Sequence, residues 1–178
     1  MATEVLVRPR IWVPVVAGTA VTVALGVYGR AHEPAVVVVN TAAYLRLQVV
    51  KSWLTAVVGL FAMVQVLSAL AIRLDIDRPW LRPLHRTSGR ATLLLSLPIA
   101  VHCLYALGLH AIDGRIMLHA LCGCVFYGAF VAKMLLLGQP GGRSSWAVPI
   151  AGGVAFAAVA GACLTSAVWF FSTVGATF

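Results

Sequence analysis

The chain has 178 residues, of which 61% are hydrophobic and 10% charged. Soluble domains carry about 25% charged residues, so this balance excludes an ordinary water-soluble globule and predicts an all-α integral membrane bundle. The charge is lopsided, with 13 Lys and Arg against five Asp and Glu. The acidic residues all fall outside the apolar runs, which argues against hydrolytic catalysis by paired carboxylates.

Crossing roughly 30 Å of hydrocarbon takes about 20 apolar residues. Five segments of a single domain, 1–178, meet or approach that length: 11–29, 53–72, 91–112, 116–137 and 146–171. The first follows Arg8 and Arg10, but its run is long for a signal peptide and no A-x-A-like site follows near 28–31, so a retained helix is predicted. In the connection 31–50, Pro34 blocks continuation of the helix, and residues 42–48 suit a short interfacial helix with Tyr44 at headgroup level. Gln65 in the second segment is expected to bond between helices.

Five arginines, Arg73, Arg78, Arg82, Arg86 and Arg90, crowd the next connection. Beside a membrane they set orientation and meet anionic lipid. No aromatic-interleaved platform accompanies them, so nucleic-acid binding is not expected. In the third segment Pro98 precedes His102 by one turn and is expected to bend the helix there. Lys133 closes the fourth segment, where its side chain can snorkel to the headgroups. The glycines and alanines of the fifth suit close packing or a homo-dimer. The four cysteines, Cys103, Cys122, Cys124 and Cys163, read as small buried residues, and no C-x-x-C-H exists for covalent haem attachment.

With the N-terminus and the second and fourth connections on one side, that side holds nine of the basic residues and the other side four. The positive-inside rule then predicts a cytoplasmic N-terminus and an external C-terminus, in the cell (plasma) membrane.

Two of the five histidines lie in neighbouring apolar segments: His102 in 91–112 and His119 in 116–137. Ionisable groups at membrane depth are costly and mark functional sites. Imidazoles facing one another across a helical hairpin can hang a haem between helices. At about 1.5 Å per residue and about 8–10 Å between axes, His119 lies within ligating distance of either His102 or His110. Spacing does not choose between them. Gly123 and Cys122 share the face of His119 and offer clearance for a flat macrocycle, with Phe126 and Phe130 continuing that face. Arg115 and Lys51 are candidates to meet haem propionates. Zinc is not expected, because no cysteine or carboxylate reads as lying at the depth needed to complete a tetrahedral shell.

The run His85-Arg86-Thr87-Ser88-Gly89-Arg90, then Leu97-Pro98-Ile99-Ala100-Val101-His102-Cys103, resembles a family of bacterial polytopic membrane proteins of uncharacterised function. Arg115, His119, Gly123-Cys124, Tyr127-Gly128-Ala129-Phe130 and Lys133 fit the same pattern, which covers about residues 50–137. That family is distantly similar to cytochrome b561 and ferric-reductase-like transmembrane haem proteins. The resemblance implies haem b held by histidines on membrane helices. Ferric-reductase-like domains carry two histidines on each of two helices, whereas His119 is alone on the fourth segment, so one haem is implied rather than two. By the same resemblance His85, His102 and His119 are the pattern's histidines, which favours His102 over His110 as partner of His119.

The expectation is therefore a five-helix membrane protein with one b-type haem ligated by His102 and His119. His85 and Arg86 would lie at the cytoplasmic surface. It would act as an oxidoreductase or electron-transfer subunit exchanging electrons with a redox protein or a quinol. The alternative is a non-enzymatic membrane subunit whose histidines pack or relay protons.

Overall fold

Three of the helices carry a proline at their third residue: Pro14, Pro83 and Pro149. The first four N–H groups of a helix lack intrahelical partners, so proline there sacrifices no hydrogen bond and presets the backbone. The computed structural model describes residues 11–33, 41–109, 113–139 and 146–175. His110, Arg8, Arg10, Pro34 and Arg143, on which several expectations rest, lie outside these residues.

The described chain is all helical. α1 covers Trp12–Ala31, α2 Thr41–Arg73 and α3 Leu81–Val101, the last continuing as a π-helical turn over His102–Leu107. α4 covers Gly114–Leu137. α5 covers Ala147–Thr173 and contains a second π-helical turn, Leu164–Val168. The interfacial helix expected over 42–48 is not a separate element, because α2 runs unbroken from Thr41.

Four of these helices, α1, α2, α4 and α5, are long and apolar enough to cross a membrane. α3 differs because its first half carries Arg82, Arg86 and Arg90, leaving the apolar part to begin at Ala91. Its far end is nevertheless tied beside the end of α1, where the Leu109 N–H donates to the Gly29 carbonyl at 2.7 Å. α3 thus runs the full height of the bundle between the end where α2 stops and the end where α4 starts. These are called the lower and upper ends.

The burial pattern inverts that of a soluble protein. Leu60, Leu67, Leu94 and Val101 point outward and are more than half exposed, while Ser52, Thr55, Ser68, Ser88, Thr92 and Ser96 are buried. A lipid environment removes the penalty for the first group. The hydroxyls are satisfied within their own helices: Thr55 donates to the Lys51 carbonyl at 2.8 Å, Thr92 to Ser88 at 2.9 Å and Ser96 to Leu93 at 2.7 Å.

The helices form a ring rather than a stack of hairpins. α1 packs on α4, α4 on α5, α5 on α2 and α2 on α3, and the π turn of α3 closes back on α1. Small residues set the tightest seam. A Cβ on Gly18 would come within 2.5 Å of the Gly128 carbonyl oxygen, and one on Gly128 would overlap Thr22 Oγ1. On the opposite side, the Gln65 side chain donates to the His85 carbonyl and, at 3.0 Å, to Ser88 Oγ. Gly89 leaves the room that the carboxamide occupies. The interhelical role expected for Gln65 is the one observed.

Candidate functional site

α3 and α4 follow one another in the chain but stand apart, and a cavity of about 530 Å³ lies between them in the upper half of the ring. Its volume falls in the range of roughly 300–1,000 Å³ common for cofactor and small-molecule sites. Every helix contributes to the wall, α1 only through Leu25. The two π-helical turns face each other across it, with Cys103 and Leu107 on one and Thr165 and Ser166 on the other. Such turns shift the register of side chains within a helix and are frequent at functional sites.

His119 projects into this cavity from the second turn of α4. Its Nδ1 lies 3.1 Å from the Ala162 carbonyl and 3.2 Å from Thr165 Oγ1. A carbonyl can only accept, and the Thr165 hydroxyl already donates to the Gly161 carbonyl at 2.7 Å. The network therefore puts the proton on Nδ1 and leaves Nε2 as a lone-pair donor. Metal-ligating histidines are oriented in this way, with the second nitrogen held by a carbonyl.

Facing Nε2 is Cys103, whose Sγ is 4.0 Å away. Sequence reasoning treated this cysteine as inert packing and placed no cysteine at the depth of the histidines. Its position follows from the rotation of α3, which spacing along one helix does not reveal. His102, the adjacent residue, is not part of the cavity wall. Its Nε2 is buried and has no hydrogen-bond partner among the described residues. No group of three or more His, Cys, Asp or Glu able to hold a metal ion occurs among the described residues.

Lys51 and Arg115 both line the cavity, and among the described residues no carboxylate does. They are not equivalent. Arg115 donates from Nη1 to the Thr165 carbonyl at 2.8 Å, lies 3.6 Å over the Trp169 ring and approaches Asp113 at 3.6 Å. The ammonium of Lys51 has no ion pair or hydrogen bond among the described residues. Gly123 borders the cavity one turn below His119, and a Cβ there would meet nothing within 4 Å. Cys122 instead faces Gly161 of α5, while Cys124 turns to the cavity. Phe126 lines the floor and Phe130 lies beneath it, with tilted rings whose centroids are 6.4 Å apart. The floor also carries a hydrogen bond that bridges α3 and α4, Ser96 Oγ to Tyr127 Oη at 2.8 Å.

His85 belongs to a different place. It lies at the lower end, with Nδ1 3.0 Å from Ser68 Oγ and 3.2 Å from the Gln65 carbonyl, and it helps fasten α3 to α2. Arg86 is exposed beside it. A histidine outside the expected set, His32, sits at the upper end of α1 between Tyr28 and Tyr105, with ring centroids 5.1 and 4.8 Å away.

Ring closure, outward apolar surface and four helices long enough to cross a membrane define a polytopic membrane-like helical bundle with an internal cavity. The chain belongs to DUF6529, a family of unknown function, which matches residues 11–178. No curated protein and no solved structure matches it.

Proposed function

We propose that the cavity holds one b-type haem and that the chain is a membrane electron carrier or the haem-bearing subunit of a membrane oxidoreductase. The observation that carries this reading is His119, whose Nδ1 is held by the Ala162 carbonyl while Nε2 faces a cavity walled by apolar side chains. Lys51 and Arg115 line that cavity and, among the described residues, only Arg115 has a carboxylate beside it, Asp113 at 3.6 Å, so the ammonium of Lys51 favours an anionic ligand. Haem meets each requirement, with a flat apolar body, an iron that takes imidazole and two propionates. That a Cβ on Gly123 would meet nothing within 4 Å supports room for a flat face there.

In this reading His119 would hold the haem iron through Nε2, with the Ala162 carbonyl holding its Nδ1. Lys51 and Arg115 receive the propionates, Lys51 with its ammonium uncommitted and Arg115 through the donors that Thr165 leaves free. The bound haem supplies reversible one-electron chemistry. The apolar walls exclude water and so tune the potential at which it operates. A quinol or a redox protein would be the electron partner. The distribution of basic residues supports a cytoplasmic N-terminus, and the haem would then lie toward the external half of the cell membrane.

Absorption spectroscopy of the purified protein, expressed with ample haem, tests the reading. A Soret band that shifts and sharpens on reduction, and that His119→Ala abolishes, is expected. Colourless protein that takes up no haem would favour the second reading, a non-enzymatic subunit in which His119 bonds α4 to α5.

A further inference from the structure

Resting on the haem reading, we propose that Cys103, rather than His102, occupies the axial position opposite His119. Cys103 Sγ and His119 Nε2 are 4.0 Å apart, and both belong to the cavity wall. A metal about 2.0–2.1 Å from an imidazole nitrogen and about 2.3 Å from a sulfur spans about 4.3 Å in line. The observed separation needs to open by only a few tenths of an ångström.

The rotation of α3 excludes His102 from that position. Ser96 lies seven residues before Cys103, about two helical turns, and so shares its face. That face is held against α4 by the Ser96–Tyr127 hydrogen bond below Cys103. Above it, the Leu109 N–H bond to the Gly29 carbonyl anchors the end of the π turn on α1. His102 precedes Cys103 by one residue, about 100° around the helix, and would reach the cavity only if α3 rotated and both anchors broke. Cys103 is half-buried, with its side chain on the cavity wall. Ligation would take Cys103 as its thiolate, the thiol proton leaving to solvent as the iron binds, and a thiolate sets a different potential from a second imidazole.

The experiment compares variants loaded with haem in detergent by absorption and electron paramagnetic resonance. Cys103→Ala is expected to retain haem through His119 but to convert the ferric spectrum from six-coordinate low-spin to high-spin. Cys103→His should restore a low-spin spectrum with the signature of two imidazoles, and Cys103→Met one with a thioether. His102→Ala should keep the wild-type spectrum. A Cys103→Ala protein with the wild-type low-spin spectrum, or a high-spin His102→Ala protein, overturns the proposal while leaving the haem reading intact. Should Cys103→Ala fail to fold, the spectra of Cys103→Met and Cys103→His decide, since wild-type g-values in either exclude sulfur ligation by Cys103. If the wild-type protein takes up no haem, the haem reading itself fails, and the proposal with it.

Discussion

Arg115 at the start of α4 donates to the carbonyl of Thr165, fifty residues away, at 2.8 Å. The contact ties the upper end of α4 to the π turn of α5, whose Ala162 and Thr165 also hold His119. One short stretch of α5 therefore positions both the imidazole and one of the two cations at the cavity. The bond to Thr165 and the contact with Trp169 make Arg115 a structural strut as well as a charge, whereas Lys51 is free to answer a ligand.

From that difference, Lys51→Gln and Arg115→Gln should separate. Lys51→Gln is expected to weaken haem affinity by about tenfold, the equivalent of about 1.4 kcal/mol, with little change in the melting temperature of the haem-free protein. Arg115→Gln should lower that melting temperature as well. Titration with hemin beside thermal unfolding reads both, and a Lys51→Gln protein with unchanged affinity would count against a propionate at Lys51.

The α1–α4 seam makes a second test. Gly128→Ala places a Cβ against Thr22 Oγ1 and the Gly18 carbonyl, so the helices must separate, at a cost of about 1–3 kcal/mol. Gly26→Ala, where a Cβ meets nothing within 4 Å, should be neutral or slightly stabilising through helix propensity. Unfolding in mild detergent should rank Gly26→Ala at or above wild type, with Gly128→Ala clearly below it.

Space beside His119 can be probed with a larger side chain. Gly123→Leu should leave the haem-free fold close to wild-type stability, because the added atoms enter an open cavity. It should reduce haem occupancy severalfold, since it fills the volume that a flat face needs. Equal haem content in the two purified proteins would remove Gly123 from the site.

His85 yields a pH dependence. It lies before Ala91, outside the apolar stretch of α3, and burial against α2 lowers its pKa below the ordinary 6.5, with Lys133 adding to the effect and the Gln65 carbonyl opposing it. A histidine whose folded pKa is depressed contributes stability above about pH 6.5, and that contribution is lost as pH falls through the folded value. Wild-type protein should therefore lose more thermal stability between pH 7.5 and 5 than His85→Asn does. Parallel losses in the two proteins would show that His85 is not the group responsible.

Much of the bundle was legible in residues alone. Apolar length marked the helices, and it did so because hydrocarbon of fixed thickness demands about 20 such residues. The same logic singled out His119, Arg115, Lys51 and the clearance at Gly123, each of which borders the cavity. Gln65 was legible as an interhelical donor because a buried carboxamide in an apolar helix must find a partner. α3 was less so: its arginines leave it short of a complete apolar span, although its far end reaches α1.

What the sequence by itself determined, then, is an all-helical chain with apolar segments of membrane-spanning length, and which neighbours along a helix share a face. Only the tertiary structure decided that α3 and α4 enclose a cavity instead of packing as a hairpin, and that Cys103 rather than the adjacent His102 meets His119. The reason is physical. A soluble helix declares its inner face by being apolar on one side, but a membrane helix is apolar all round, so periodicity fixes the angle between residues and leaves the rotation of the helix undetermined. For α3 that rotation is fixed by distant contacts, Gln65 with His85 and Ser88, Ser96 with Tyr127, and Leu109 with Gly29, which no reading along a single helix contains.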